Sequence, residues 1–352
     1  MKKTIILAMP DLFKIHETIA ENLRFHGFNT IVIAYKEEKY RYTGLLDKLK
    51  KIYHRNLLND KNYKKELIFK QHGQPYLNLL NTIQEPVDYC LFIWPFIFPH
   101  SFMKILREKA KLCVHYNWES LAFFANGIDK LKYFDKYFDK FFYFDPYDTG
   151  KWQQNNYPVP LLPTTSFYFD FPLPTCKSKN SLFFLGLHAK QRIADIQAFY
   201  EIAKQADLEV DFRIVAHDIQ QAKEELKLEE IQYLPFSEAL SYYDNLLLSA
   251  QAHVLVDFLN RKHHGLSLRV FEALGLSKKL ITTNPTVIHY DFYHPNNIFI
   301  WNGNNHHELR QFLTQPYHTL PTHIMQKYSF GNWIKYILDI EPHQKITLPQ
   351  LP

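Results

Sequence analysis

Glycine is scarce in this 352-residue chain, which contains ten glycines, whereas average usage of about 7% would place roughly 25 in a chain of this length. No two of them are spaced as Gly-x-Gly, and none begins a Gly-x-x-x-x-Gly-Lys sequence. The first absence excludes the dinucleotide-binding fingerprint, and the second excludes the P-loop. The chain therefore lacks the ordinary sequence evidence for a nicotinamide-dependent dehydrogenase or a P-loop kinase.

Cysteine is also rare, since the chain has only Cys90, Cys113 and Cys176. Three scattered cysteines are too few for a disulfide framework or a zinc site. Cys90 and Cys113 lie in apolar, strand-like segments, where we expect small buried side chains. This usage fits a reducing compartment such as the cytoplasm.

No apolar run is long enough to cross a bilayer. The longest, residues 89–98, has ten residues and contains Pro95, whereas a spanning helix needs about 20. Residues 1–10 superficially resemble a signal peptide, but their apolar part is only about seven residues long and no small-residue cleavage site follows. We therefore predict a first buried strand at this position, and no transmembrane helix in the chain.

The positive charge is concentrated in one short stretch. The net charge is +5, and residues 36–70 alone carry 11 basic and 5 acidic side chains, so the other 317 residues sum to about −1. Leucines and other apolar residues recur at helical spacing within residues 45–53, which predicts a basic amphipathic helix. The basic residues that we assign to an acceptor or membrane surface are Lys48, Lys50, Lys51, Arg55, Lys64 and Lys65.

An anionic membrane surface is the partner that this stretch favours. Each basic residue near such a surface contributes about 1 kcal/mol of attraction before screening. Nucleic acid ranks lower, because the chain has no RNP motif, zinc finger or arginine-rich arm. The simpler alternative is a solvated helix with no partner.

Apolar strands alternate with helical segments through both halves of the chain, which predicts parallel sheets covered on both faces. A segment over residues 156–180 holds five of the 19 prolines and separates the halves. We expect an α/β fold with two Rossmann-like, doubly wound domains facing across a cleft. We expect an acceptor-side domain over residues 1–160, a proline-rich linker over 161–180 and a nucleotide-sugar-binding domain over 181–325. A final helix and tail over 326–352 can pack back on the first domain.

The most informative segment is residues 254–284, which reads as a strand, a polar loop, a helix and a second strand. The N–H groups at the start of such a helix are unpaired, and the helix dipole favours an anion there. Gly265 permits close backbone approach, and Ser267 can cap the helix. Arg269 offers a planar charged group that suits phosphate oxygens.

Glu272 follows three residues after Arg269, so both side chains lie on one face of the predicted helix. Its carboxylate can accept two hydrogen bonds from a vicinal diol such as ribose, each worth roughly 1.5–3 kcal/mol. The simpler alternative is an ordinary α/β loop with a surface Arg–Glu pair.

The phrase G-L-S-L-R-x-F-E-A-L-x-x-x-K-K-L-I-T-T-N begins at Gly265, and Asp-Phe-Tyr at 291–293 and Asn-Ile at 297–298 follow it. This sequence resembles the C-terminal domain of GT-B glycosyltransferases, and more narrowly is similar to bacterial transferases of lipopolysaccharide and capsule biosynthesis. Residues 133–148 are similar to a segment that those proteins carry before the interdomain crossover. The resemblance covers most of the chain and is strongest over residues 265–300.

The resemblance implies a nucleotide-sugar donor in the C-terminal domain. It places Glu272 on the donor ribose and Arg269 on the pyrophosphate. His264 stands where many retaining members have the first glutamate of a Glu-x7-Glu motif, so the stereochemical outcome stays open. The His264 side chain can carry positive charge near phosphate, or donate a hydrogen bond while neutral. The remaining donor-site residues implied by the resemblance are Gly265, Leu266 and Ser267 at the helix start, and Gly186 and His188 in a strand-end loop across the cleft.

No Asp-x-Asp motif occurs in the chain, which agrees with a metal-independent site and no cofactor. Adjacent His263 and His264 suggest metal ligands only superficially, because no third ligand is spaced to join them. An inverting mechanism requires a base, and polar residues that follow strands of the N-terminal half are the candidates. These candidate bases are Asp11, His16 and Glu119.

We therefore expect a cytoplasmic glycosyltransferase, peripheral on the inner face of the cytoplasmic membrane. It would move a sugar from a nucleotide-diphosphate sugar to a surface-glycan acceptor of lipopolysaccharide or capsule type, without a nucleic-acid partner. Two alternatives remain: a nucleotide-sugar epimerase of the same fold, and a non-catalytic nucleotide- or glycan-binding subunit of a glycan-assembly complex.

Overall fold

A computed structural model forms the basis of the description. It describes the backbone over residues 2–36, 38–42, 44–58, 60, 62–120, 135–149, 159–205, 209–260 and 264–351, with the side chains of all but Arg55 and Asp135. The described residues contain two parallel six-stranded sheets. The predicted α/β class with two doubly wound domains is confirmed.

The first sheet has the strand order β2-β1-β3-β4-β5-β6, and all neighbouring strands are parallel. Its central strand β1 is buried from Ile5 to Met9, because helices cover both faces of the sheet. The strands are β1 Thr4–Pro10, β2 Asn29–Tyr35, β3 Val87–Ile93, β4 Ala110–Tyr116, β5 Lys140–Tyr143 and β6 Leu161–Pro163. The helices of this half are α1 Ile15–Phe25, α2 Leu45–Asn56, α3 Tyr63–His72, α4 Gln74–Asn81 and α5 His100–Glu108.

The second sheet has the order β12-β11-β10-β7-β8-β9, again with parallel neighbours. Its strands are β7 Ser181–Leu187, β8 Glu209–Ala216, β9 Gln232–Pro235, β10 Val254–Asp257, β11 Lys279–Thr282 and β12 Ile298–Ile300. The helices that follow the first domain are α6 Ile193–Ala203, α7 Ile219–Leu226, α8 Tyr242–Gln251, α9 Leu268–Gly275, α10 His306–Thr314, α11 Thr322–Lys327 and α12 Phe330–Leu338.

The direction of strand addition reverses between β7 and β10 in the second sheet. From β7 the chain adds β8 and β9 on one side, and then returns to add β10, β11 and β12 on the other. Such a topological switch point leaves a crevice at the carboxyl ends of the two central strands, where α/β proteins bind ligands. The second domain therefore has a preformed place for a ligand beside the ends of β7 and β10.

Several elements differ from the predictions. Leu161–Pro163, predicted to begin the linker, pairs with β5 as the edge strand of the first sheet; three residues are too short for a strand pattern. Helix α8 begins at Tyr242, because Ser241 caps it by accepting a hydrogen bond from the Asp244 N–H. The final helix, predicted within residues 326–352 as one element, is instead preceded by the separate helix α11, because the backbone between α11 and α12 pairs with Tyr168.

The final helix α12 crosses back onto the first domain. Trp333, Ile334 and Ile337 are buried in one cluster with Ile5 and Leu7 of β1. The core of the first domain therefore includes a helix from the far end of the chain.

Within the described ranges, no helix is both long enough and apolar enough to cross a membrane.

Candidate functional site

A cavity of about 270 Å³ lies at the switch point of the second sheet. Its floor is the ends of β7 and β10, and one wall is the start of α9. Phe13, in the turn after β1, closes it from the first domain. The polar side chains that line it are Arg192, Tyr242, Asn245, Asp257, Ser267, Arg269 and Glu272.

Arg269 lines this cavity but is held by the protein itself. Its Nη1 donates to Ser249 Oγ at 3.2 Å, and its Nη2 donates to Leu185 O and Asn245 Oδ1, each at 3.2 Å. Its guanidinium also lies over the Phe183 ring, 5.2 Å from the centroid. These contacts fix the orientation of Arg269 and link α9 to β7 and α8.

Glu272 is buried, with 2% of its surface exposed. Its Oε1 accepts from Tyr242 Oη at 2.5 Å, and its Oε2 accepts from Ser249 Oγ at 3.1 Å. Oε2 also lies 3.4 Å from Arg269 Nε. Burial and the nearby carboxylate raise the pKa of Tyr242 well above its ordinary value, so its hydroxyl stays a donor. A carboxylate has about four acceptor positions, so about one remains for a ligand hydroxyl.

Arg192 also lines the cavity, and it was not among the residues predicted from the sequence. Its Nη2 donates to Leu187 O at 2.5 Å, whereas its buried Nε has no hydrogen-bond partner in the described part of the chain. Burial lowers the pKa of Arg192, and the Asp257 carboxylate opposes that shift. Arg192 is half-buried, and a guanidinium with a buried, unpaired N–H is stabilised by an anion, so this residue indicates an anionic ligand. Its position at the helix start after β7 was the available sequence signal.

Asp257 at the end of β10 holds the loop before α9. Its Oδ1 accepts from Ser267 Oγ at 2.8 Å, and its Oδ2 accepts from Thr282 Oγ1 at 2.9 Å. Ser267 therefore binds Asp257, and its side chain does not cap α9. The result is a fixed N-terminus of α9, and the first residues of this helix line the cavity.

The other residues predicted for the donor site lie in different surroundings. Leu266 belongs to the buried core of the second domain, and Gly186 lines the cavity. His188 points to α7, where its Nε2 lies 3.1 Å from Glu225 Oε2. It is therefore not among the residues that line the cavity.

His264 and Gly265 contact the first domain. The His264 N–H donates to Asp145 Oδ2 at 3.0 Å, and its ring lies 4.3 Å from that of Tyr147. A Cβ at Gly265 would lie 2.3 Å from the Phe144 ring. The close approach for which glycine is needed is therefore to the other domain.

Comparison with known proteins gives structural matches only: no family model matches the chain, and no curated protein matches it. A putative UDP-N-acetylglucosamine 2-epimerase from Listeria monocytogenes superposes with a TM-score of 0.51 at 11% identity, covering 99% of this chain and 100% of that one.

The chain has the GT-B fold.

Two more distant GT-B structures also match. The UDP-GlcNAc 2-epimerase from Neisseria meningitidis bound to UDP-GlcNAc has a TM-score of 0.47 at 12% identity, covering 96% of this chain and 99% of its own. The lipopolysaccharide outer core galactosyltransferase WaaB, in its apo form, has a TM-score of 0.43 at 11% identity, covering 94% and 96%.

The turn after β1 reaches across the GT-B cleft. Phe13 and Lys14 have φ values of 47° and 53°, in the left-handed region that non-glycine residues rarely adopt. The Phe13 carbonyl accepts from the Tyr242 N–H at 2.7 Å, and its ring lies 5.1 Å from that of Phe236. The strained turn is therefore held by the second domain.

Two of the three candidate bases lie together at the end of β1. His16 Nδ1 is 3.4 Å from Asp11 Oδ1, and Lys36 Nζ is 3.7 Å from the other oxygen. Burial lowers the pKa of His16, although the Asp11 and Glu17 carboxylates oppose the shift. His16 lines a groove of about 540 Å³ between α1 and α8, next to the switch-point cavity.

Glu119, the third candidate base, follows β4 and is half-buried. Its backbone carbonyl accepts from Asn117 Nδ2 at 2.5 Å. It lines neither the switch-point cavity nor the groove at His16.

The basic residues assigned to an acceptor or membrane surface lie on α2 and α3. Lys48, Lys50 and Lys64 are exposed, whereas Lys51 Nζ donates to Tyr42 Oη at 2.5 Å. Lys65 donates to the Phe96 carbonyl. The side chain of Arg55 lies outside the described part of the structure.

Among the described residues, no group of three or more His, Cys, Asp and Glu side chains is arranged to bind a metal ion. His263, the neighbour of His264, lies outside the described residues.

Proposed function

We propose that the chain is a glycosyltransferase that binds a nucleotide-diphosphate sugar at the switch point between β7 and β10. The observation that carries this proposal is Arg192, a residue that lines the cavity and whose buried Nε has no partner in the described chain. A diphosphate supplies the anionic oxygens that this guanidinium lacks. The acceptor would be a surface glycan of lipopolysaccharide or capsule type, at the cytoplasmic face of a membrane.

Arg192 and the N-terminus of α9 would together stabilise the leaving diphosphate. Both lie at the carboxyl ends of the central strands and both favour negative charge. With no Asp-x-Asp motif in the chain, we propose that these groups neutralise the diphosphate without a metal ion. Arg269 would act mainly by orienting α9, since its donors are directed to protein acceptors.

Glu272 would accept one hydrogen bond from the donor ribose through the remaining acceptor position of its carboxylate. A second bond to the diol would require Tyr242 or Ser249 to turn away. We propose that the ribose hydroxyl binds to Oε1 of Glu272, the carboxylate oxygen that accepts a hydrogen bond from the Tyr242 hydroxyl.

If the reaction inverts configuration, His16 is the base that the geometry favours among the three candidates. Its lowered pKa leaves the imidazole neutral at pH 7, able to accept a proton from an acceptor hydroxyl. Asp11 would orient the ring and stabilise the imidazolium as it forms. An acceptor would then bind on the first-domain side of the cleft.

A nucleotide-sugar epimerase is the second candidate. The GT-B structure with a TM-score of 0.51 is described as a putative UDP-N-acetylglucosamine 2-epimerase, and the match covers 99% of this chain and 100% of that one. An epimerase would interconvert its sugar nucleotide without any acceptor, whereas a transferase would release nucleotide diphosphate only as acceptor is consumed.

The first test is thermal unfolding with UDP, GDP, CMP, dTDP and ADP, without added metal. A nucleotide at 100 times its Kd stabilises the native state by about 2.7 kcal/mol, a readily measured rise in Tm. We expect a selective rise in the wild type and its loss in Arg192→Gln.

Lys190→Gln is the matched control, because Lys190 is 73% exposed and pairs with Glu225 away from the cavity. It should keep the full rise in Tm. No rise with any of the five nucleotides, or an equal rise in Arg192→Gln, would contradict the proposed site and favour a non-catalytic role. Turnover of the selected sugar nucleotide without acceptor would instead identify an epimerase.

A further inference from the structure

Helix α2 turns its apolar side chains toward solvent. Leu45 is 78% exposed, Leu46 is 75% exposed and Leu49 is 60% exposed, and Ile52 and Tyr53 are about half exposed. The chain after the helix adds two further exposed leucines, Leu57 and Leu58. Seven of the twelve large, exposed apolar side chains identified in the described structure therefore lie within these 14 residues.

The polar side of the same helix faces the protein. Asp47 accepts a hydrogen bond from Tyr40, and the His54 ring stacks on Tyr63 with centroids 3.7 Å apart. Asp47 and His54 are seven residues apart, so they lie on one side of the helix. A helix of a water-soluble protein normally buries its apolar stripe and exposes its polar one. Helix α2 has the opposite orientation, with its apolar side toward solvent and its polar side toward the protein.

Lysines border the exposed apolar stripe on both sides. At about 100° per residue, Lys48 lies at one edge of the stripe formed by Leu45, Leu49 and Ile52, and Lys50 lies beyond the opposite edge. Both lysines are exposed. Long lysine side chains can extend along an apolar surface and place their ammonium groups at its border.

We infer that α2 is a membrane-docking helix that lies in the plane of an anionic bilayer. The apolar stripe enters the boundary between headgroups and acyl chains, and Lys48 and Lys50 contact lipid phosphates. A bilayer supplies an apolar interior and an anionic border together. A second copy of α2 on this face would instead bring like charges together at the same borders. The proposed function places the acceptor at a membrane, and this inference adds the element that docks the chain there. It does not depend on nucleotide binding.

The test is flotation with vesicles of pure phosphatidylcholine or of phosphatidylcholine with about 30% phosphatidylglycerol. We expect the wild type to float with the anionic vesicles and to be released partly by added salt. The triple variant Leu45→Gln, Leu49→Gln and Ile52→Gln should partition about 100-fold less. The double variant Lys48→Gln and Lys50→Gln should partition about tenfold less and lose most of its salt dependence.

Two matched variants control for exposed apolar area and for charge elsewhere. Leu79→Gln with Ile288→Gln removes exposed apolar side chains outside α2, and Lys177→Gln with Lys179→Gln removes two exposed lysines from the crossover, the segment between β6 and β7. Both should float like the wild type. Absence of wild-type binding, or equal losses in these controls, would overturn the inference.

Tryptophan fluorescence provides an independent test. The variant Tyr53→Trp adds one tryptophan on α2 to the five of the wild type, and the emission spectra of the two proteins are compared. The emission added by this tryptophan is the difference between the spectra of the variant and the wild type. It should shift to shorter wavelength with anionic vesicles and be quenched by brominated lipid. An added emission that does not change with vesicles would also overturn the inference. So would a protein dimer that the triple leucine variant dissociates, because a second copy would then cover the face.

Discussion

His115 on β4 is a fully buried histidine whose two ring nitrogens have no hydrogen-bond partner in the described chain. Aromatic rings surround it, with the centroid of Phe138 at 4.8 Å and that of Phe141 at 4.4 Å. Burial lowers the pKa of His115 well below its ordinary value, so the native state holds it neutral. A buried polar group without partners opposes folding, because the unfolded chain hydrates it.

His115→Phe should raise the free energy of unfolding by about 1–2 kcal/mol at pH 7. The gain should grow as pH falls from 7 to 5. The histidine of the unfolded chain binds a proton below about pH 6.5, whereas the histidine of the native state stays neutral. The free energy of unfolding of the wild type therefore decreases as the pH falls through this range. The variant has no histidine at this position and lacks that decrease. Urea unfolding at the two pH values measures both effects.

The control is His307→Phe, at a side chain that is 72% exposed, which should change stability little at either pH. A difference between His115→Phe and wild type that stays constant from pH 7 to pH 5 would show that His115 is hydrated or paired in solution.

At the scale of elements, the loop before α9 forms part of the contact between the domains. His264 donates to Asp145 of the first domain, and Asn284 Nδ2 donates to the His264 carbonyl at 3.2 Å. Gly265 lies against the ring of Phe144, which is itself 3% exposed and packed in the core. The loop that leads to the donor cavity is therefore shaped by the opposite domain.

Gly265→Ala should lower the free energy of unfolding by about 1–3 kcal/mol, the usual cost of overpacking. The new Cβ would lie 2.3 Å from a ring that its own core holds in place, so the loop must move away from the first domain. Chemical denaturation measures the loss, and small-angle scattering should show a larger radius of gyration.

Gly44→Ala is its control, because no described atom beyond its two chain neighbours lies within 4 Å of a Cβ at Gly44, and its φ of 177° is extended backbone. It should leave stability unchanged. An unchanged Gly265→Ala protein would mean that the two domains are not in contact at this loop in solution.

At the scale of the whole molecule, the two domains share buried structure. Asp170 in the crossover accepts from Asn22 Nδ2 at 2.7 Å, from His26 Nε2 at 2.6 Å and from the Gly331 N–H at 3.0 Å. These bonds join α1, the crossover and α12. Trp333 of α12 is fully buried against the first domain. Unfolding of either domain should therefore disturb the other.

Trp333→Ala should lower the free energy of unfolding by about 3–5 kcal/mol, since it leaves a large cavity in the shared core. Calorimetry of the wild type should show one cooperative transition, and the variant should shift the whole of it to lower temperature.

Phe25→Ala is the comparison, because Phe25 is 51% exposed on α1, and its effect should stay within about 0.5 kcal/mol. Two separate transitions, of which Trp333→Ala moves only one, would show that the domains unfold independently.

Much of the fold could be predicted because burial leaves a local pattern. The apolar runs at β1, β3 and β4, the helix Leu268–Gly275 and the restart after the prolines all follow from short-range periodicity. The short strand β6 and the division of the last helix could not be predicted, since each depends on a partner strand or segment distant in sequence.

The candidate site, like the fold, could be predicted from the sequence only in part. Local sequence pattern was enough to predict a polar loop, a helix start and an Arg–Glu pair after a buried strand near residue 265. The hydrogen bonds that Arg269 and Glu272 make to Asn245 and Ser249, and the unpaired, buried Nε of Arg192, became visible only in the folded chain. Likewise, periodicity determined that α2 has an apolar side, but the packing of Tyr40 and Tyr63 decided that this side faces outward. Local pattern depends on residues a few positions apart, whereas orientation depends on contacts with distant parts of the chain.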